Sequence, residues 1–210
     1  MRQERSIFEQ EIMPQNAKGN IALIIANIFV FLLSDFFEIQ VQGKNLIDIG
    51  DLSWVYVLQE GEYYRIISSM FLHADFDHIL SNMLTLGLIG TYLEMELGTF
   101  RYLTVYFCSG IIAGCSSMGY NMMLGSIIPS IGASGAVFGV VGGLLCMVIV
   151  KRRMVSQYDI RRIIFMACFS LYCGFANEGI DNMAHIGGFI GGFLVTGLFM
   201  LLMRKKYKFD

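Results

Sequence analysis

Charge is scarce in this chain: Asp, Glu, Lys and Arg make up 15% of its 210 residues, against 55% hydrophobic residues. With a mean hydropathy of +0.59, so large an apolar excess would leave wide sticky patches on a water-soluble globule of this length. A soluble globule is excluded, and lipid is the expected solvent. Basic residues are equally thin outside two short clusters, and the formal net charge is −2. That leaves no electrostatic footprint for DNA or RNA. The five cysteines form no CxxC pair and no regular framework, which excludes a disulfide scaffold and makes them small core residues. A short basic start followed by an apolar run is also missing, because MRQERSIFEQEIMPQNAKGN is polar and mixed in charge. No cleavable signal peptide is expected, and the first apolar run stays as an anchor.

What is present is a series of apolar runs. A hydrocarbon core about 30 Å thick takes about 20 helical residues, and six such runs fit at 20–37, 78–95, 100–120, 134–150, 161–177 and 184–203. The fold expected is all-α and polytopic, with six transmembrane helices, a tail over 1–19, a membrane core over 20–203 and a basic tail over 204–210. The fifth run is the shortest in strictly apolar terms, and a five-span arrangement requires it to be re-entrant. Positive residues resist translocation. A cytoplasmic N-terminus puts every one of the 15 Lys and Arg residues except Lys44 and Arg65 on the cytoplasmic side. Both termini are then cytoplasmic. The long first loop, 38–77, is acidic and aromatic and reads as interfacial in the outer headgroup layer.

Ionisable and polar groups inside a membrane are expensive, so the few present are the functional candidates. Only three histidines exist, His73, His78 and His185. The crossings bring His78, His185 and Ser134, in GASG at 132–135, to one depth on the outer side. A serine hydroxyl needs a neighbouring base to attack at neutral pH, and His185 is the base available. A tetrahedral intermediate needs hydrogen-bond donors at its oxyanion. His78 and Asn82 lie on one helix face by their i, i+4 spacing, and the free amides at the start of the fourth span would join them. Gly135, Gly139 and Gly143 in the fourth run, and Gly188 with Gly192 in the sixth, offer faces for close helix packing. The sixth-run glycines share a face with His185. His73 reads as an interfacial anchor or buried structural residue, and Glu94, near the cytoplasmic end, as a structural hydrogen-bond acceptor.

GASG at 132–135, HILSN at 78–82, AHIGG at 184–188 and GTYLEMELG at 90–98 together resemble the motifs of the rhomboid intramembrane serine proteases. The resemblance runs over about 20–203. It implies a six-helix core with a catalytic Ser134–His185 dyad and no acidic third member. It also implies an oxyanion site of His78, Asn82 and the Ser134 amide, and a gate formed by the fifth helix and the 176–183 loop. Substrates would be proteins with transmembrane helices, cut where small residues and a weak helix expose the backbone. No cofactor and no metal is called for. Two residues depart from the family's common pattern: Tyr64 stands before Arg65 where tryptophan is usual, and Phe138 stands one turn after the serine where tyrosine is usual. The ring stack on the histidine survives that second change, whereas a phenolic hydrogen bond does not.

Rival readings fit less well. A transporter would show inverted repeats, and the halves 20–120 and 134–203 share none. A zinc enzyme would need HExxH or a carboxylate such as Asp75 or Asp77 from the first loop. No aspartate lies at the centre of a span, which excludes an aspartyl intramembrane protease. A non-catalytic binder of transmembrane clients would need no nucleophile. The absence of a targeting segment points to a bacterial plasma membrane, and the oligomeric state is open.

Overall fold

The computed structural model describes residues 17–150, 165 and 180–207. Three helices among them are long and apolar enough to cross a bilayer, over Lys18–Asp35, Thr99–Leu124 and Asn182–Met203, and a shorter apolar helix covers Ser134–Val150. Numbered in order, the helices are α1 Lys18–Phe31, α2 Leu46–Gly50, α3 Arg65–Ser68, α4 Phe76–Thr85, α5 Thr91–Leu97, α6 Thr99–Leu124, α7 Ser134–Val150 and α8 Asn182–Tyr207. Apart from Phe165, the fifth expected span, 161–177, lies outside the described residues, as does the first half of the 176–183 loop.

The second expected span is not one regular helix. A π turn at Leu86–Gly90 links α4 to α5, with right-handed helical backbone at both junctions, so the rod from 76 to 97 continues through a local widening. A Cβ on Gly90 would lie 2.6 Å from both Asn20 Oδ1 and Tyr102 Oη, so α1 and α6 close on the rod at this turn. Gly98 then ends α5 with a positive φ of 80°, which only glycine holds without strain, and α6 begins at once.

Where the rod meets α1, Glu94 is 1% exposed. Its carboxylate accepts the amides of Gly19 at 2.9 Å and Asn20 at 2.7 Å, and the Thr99 hydroxyl at 2.6 Å. The first amides of a helix have no intrahelical partner, and an anion placed there also meets the positive end of the helix dipole. Glu94 therefore caps α1 from a different helix, the structural role expected of it. Replacing Glu94 by alanine strands two buried amides and a hydroxyl at about 1–3 kcal/mol for each lost partner. Thermal unfolding in detergent micelles is expected to show a clear drop in Tm for Glu94→Ala, with Glu94→Gln in between.

α7 is buried along almost its whole length from Gly135 to Val148, and it packs most extensively on α8, which in turn packs on α6. A helix apolar all round belongs at the centre of a bundle. The segment between α1 and α4 carries a short hairpin of β1 (Gln40–Val41) with β2 (Lys44–Asn45), then α2, a π turn at Val55–Gln59 and α3. Arg65, buried at the start of α3, organises it. The guanidinium binds Asp51 Oδ1 at 2.6 Å and Glu62 Oε2 at 2.5 Å, donates to the carbonyls of Asp48 and Asp51 at 3.1 and 3.0 Å, and lies 4.1 Å from the Tyr56 ring centre. Burial raises the Asp51 carboxyl above the usual carboxylate range, although the Arg65 charge opposes it. Tyr64, in the place of the commoner tryptophan, donates its hydroxyl to the Ile49 carbonyl at 3.1 Å.

Candidate active site

Ser134 opens α7, and the segment before it is held on three sides. Leu52 and Ser130 exchange backbone hydrogen bonds at 2.9 and 2.8 Å, the Trp54 indole donates to the Ser126 carbonyl at 2.7 Å, and the Gly132 amide donates to the Ser69 carbonyl at 2.9 Å. The first loop thus straps the approach to the serine. Gly132 takes φ 124°, a conformation that disfavours any side chain. A Cβ there would fall 2.6 Å from His78 Cε1 and 2.7 Å from His78 Nε2, while Ser134 Oγ lies 3.7 Å from the same point. The His78 imidazole therefore sits over the bare backbone of Gly132, on one flank of the serine hydroxyl. Being first in α7, Ser134 and its successors have amides without intrahelical acceptors.

His185 lies in the first turn of α8. Its ring stacks on Phe138, with centres 4.3 Å apart and planes inclined by 12°. Phe138 is four residues after Ser134 and so on the same face of α7. This stack brings the imidazole to the serine's face of the helix. Close approach of the two helices depends on the glycines: a Cβ on Gly188 would run into the Gly135 carbonyl, one on Gly192 into that of Gly139, and one on Gly142 into the backbone of Phe189. Expected packing faces and observed contacts coincide here.

Asn82 is buried on the same face as His78, and its Nδ2 donates to the His78 carbonyl at 3.0 Å. The amide carries a second hydrogen, so this bond orients the group and leaves one donor. His73 is fully buried, its ring edge-on to His78 at 5.0 Å between centres. Burial, with the His78 charge beside it, pushes the His73 pKa down to about 4. Because the folded chain favours the neutral ring, its contribution is intact above the ordinary value near 6.5 and is lost as pH falls toward 4. A plot of Tm against pH for the wild type is expected to fall across that window, and His73→Gln to fall less steeply over the same range.

Asp75, considered above as a metal ligand, instead caps α4 by accepting the His78 amide at 2.8 Å. Among the described residues no group of three or more His, Cys, Asp or Glu side chains is placed to hold a metal ion. A small crevice of about 20 Å³ reaches Ser134 and is lined by Met70, Gly110, Gly132, Gly135 and Ala184 among others.

Asp181 is not among the residues that the sequence marks as functional candidates. Its Oδ1 accepts the Ala184 amide at 2.9 Å and its Oδ2 accepts the Ser117 hydroxyl. An aspartate just ahead of an apolar run is a recognisable helix start signal, but the tie to Ser117, 64 residues away, carries no local mark.

A family model described as Rhomboid domain matches residues 60–202. YdcA of Bacillus subtilis (strain 168), a rhomboid by name, is 36% identical over 147 residues, covering 70% of this chain and 72% of that protein. The Rhomboid protease GluP of the same organism is 31% identical over 201 residues, 93% of this chain but 38% of GluP. RHOMBOID-like protein 7 of Arabidopsis thaliana is 31% identical over 169 residues, 80% of this chain and 52% of its own. The chain thus spans about half or less of these last two relatives. On the family match and these identities together, the chain belongs to the rhomboid family.

Proposed function

We propose that this integral membrane protein is a serine endopeptidase that hydrolyses peptide bonds in or near the transmembrane helices of other proteins. The observation that supports this reading is the Phe138–His185 stack at 4.3 Å, with Phe138 one helical turn after Ser134 on the same face of α7. The names of relatives such as GluP point the same way. Ser134 Oγ attacks the scissile carbonyl, His185 takes its proton, and the same imidazole returns it to the leaving amine. His78, flanking Ser134 over Gly132, supplies a donor for the oxyanion, together with the remaining Asn82 hydrogen and the Ser134 amide. The crevice beside Ser134, lined by Gly132, Gly135 and Ala184, favours a small substrate side chain.

With the N-terminal tail in the cytoplasm, α1 crosses outward and the first loop is external. The Leu52–Ser130 pairing, which ties the segment before Ser134 to the first loop, supports the same outer side for the serine. The full arrangement proposed is six spans with both termini cytoplasmic, in a bacterial plasma membrane.

Purified protein mixed with a fluorogenic transmembrane substrate tests the reading. Cleavage that serine-directed phosphonates stop and chelators leave untouched is the expected result. Cleavage that chelators abolish and phosphonates spare would replace it with a metal mechanism, and binding of the substrate without cleavage would replace it with a client-binding role.

A further inference from the structure

The His185 ring has little of its own to hold it in register. Its Nδ1 is buried and has no hydrogen-bond partner among the described residues. Its stack on Phe138 is nearly flat, and a flat stack resists tilting far more than sliding. Nor do the glycine faces fix the axial position of α8. Gly188 and Gly192 meet the backbone of Gly135 and Gly139, and Gly187 and Gly191 meet Ser116 and Ile112 of α6. Smooth faces set how near two helices come, not how far one has slid along the other.

A polar tie is what stops such sliding, and one stands a single turn before the histidine. The Asp181 carbonyl accepts the His185 amide at 3.2 Å, and its Oδ1 accepts the Ala184 amide at 2.9 Å. Those two bonds are what any helix cap makes. The third is different: Oδ2 accepts the hydroxyl of Ser117, a residue of α6 that is itself 1% exposed. One carboxylate thus joins the first turn of α8 to the wall of α6.

The geometry points to Asp181 as a positioning residue that, through Ser117, fixes the height and rotation of α8 and so holds His185 at Ser134. The aspartate touches neither the imidazole nitrogens nor the reacting atoms, and it does through the backbone what a third acidic member does by direct contact in a serine triad. This inference rests on the Ser134–His185 reading.

The test compares the wild-type full chain with Asp181→Ala, Asp181→Asn, Ser117→Ala and the Asp181→Ala/Ser117→Ala double variant. All are purified in detergent and assayed on the fluorogenic transmembrane substrate, with active sites counted by fluorophosphonate titration. Misplacing a catalytic group by about 1 Å costs about a hundredfold, so kcat per titrated site is expected to fall by about that much in Asp181→Ala, with KM little changed. Ser117→Ala, which keeps the cap and loses only the tie, is expected to fall by about tenfold on the same geometric ground. Asp181→Asn can still accept the Ala184 amide and still bond Ser117, and should recover most of the rate. The double variant should be no worse than Asp181→Ala, because the two residues act through one bond. Wild-type kcat per titrated site in Asp181→Ala or Ser117→Ala, or losses that only follow the titratable fraction, would leave Asp181 a plain helix cap and overturn the inference. Should Asp181→Ala fail to fold, Ser117→Ala decides alone. A wild type that neither reacts nor cleaves, or a Ser134→Ala variant that cleaves, removes the dyad reading and the positioning role with it, and is told apart by those two controls.

Discussion

Ser134→Ala is expected to remove proteolysis of a transmembrane substrate, with kcat falling by on the order of 10⁴–10⁶. The magnitude follows from what remains. Without a nucleophile, His185 has no hydroxyl to deprotonate, and only donors and binding persist. His185→Ala should cost about as much, and the two changes together no more than either alone, because the pair works as one unit. Asn82→Ala belongs to a lower tier. Its amide already spends one hydrogen on the His78 carbonyl, and His78 and the Ser134 amide stay in place, so a loss of about 10²-fold, typical of one oxyanion donor, is the upper expectation. Measured as kcat on one substrate, the ranking Ser134 and His185 together, then Asn82 well below, distinguishes a catalytic unit from residues that merely pack.

Gly188→Val is expected to have the largest effect on the fold. A side chain there meets the Gly135 carbonyl, which is backbone and cannot rotate aside. Relief requires α7 and α8 to separate, which opens the central seam of the bundle and parts Phe138 from His185. Overpacking in a core costs about 1–3 kcal/mol when side chains can adjust, and here they cannot, so the loss should sit at or above the top of that range. Thermal unfolding in micelles should show it, with activity lost in parallel. Gly119→Ala is the control, since a Cβ there meets nothing within 4 Å. It should keep both stability and rate.

The parts of this molecule that the sequence announces are those governed by lipid. Apolar runs mark α1, α6, α7 and α8 because the bilayer demands them, and crossing order alone takes Ser134, His78 and His185 toward one end. Glycine spacing marks the α7–α8 seam because only small residues let two backbones approach so closely. What stays hidden is whatever depends on contacts between distant residues. The π turn at Leu86–Gly90 has no residue signature, since it answers to α1 and α6 closing on Gly90. The Leu52–Ser130 pairing and the Asp181–Ser117 tie join segments far apart in the chain, and neither leaves a trace in local pattern. Asn82 was legible as a neighbour of His78, yet the turn of its amide toward its own helix was not. The expectation of a fifth span at 161–177 falls outside the described residues, so the count of six remains a reading of the sequence.

The proposed proteolysis requires Ser134 to be a nucleophile that His185 activates. Reaction of the purified chain with a fluorophosphonate, followed by mass spectrometry of the peptides, addresses that claim at the atom concerned. A single adduct on Ser134, absent from His185→Ala, is the predicted result. An adduct on another residue, or continued proteolysis by a chain whose Ser134 stays unmodified, would contradict it.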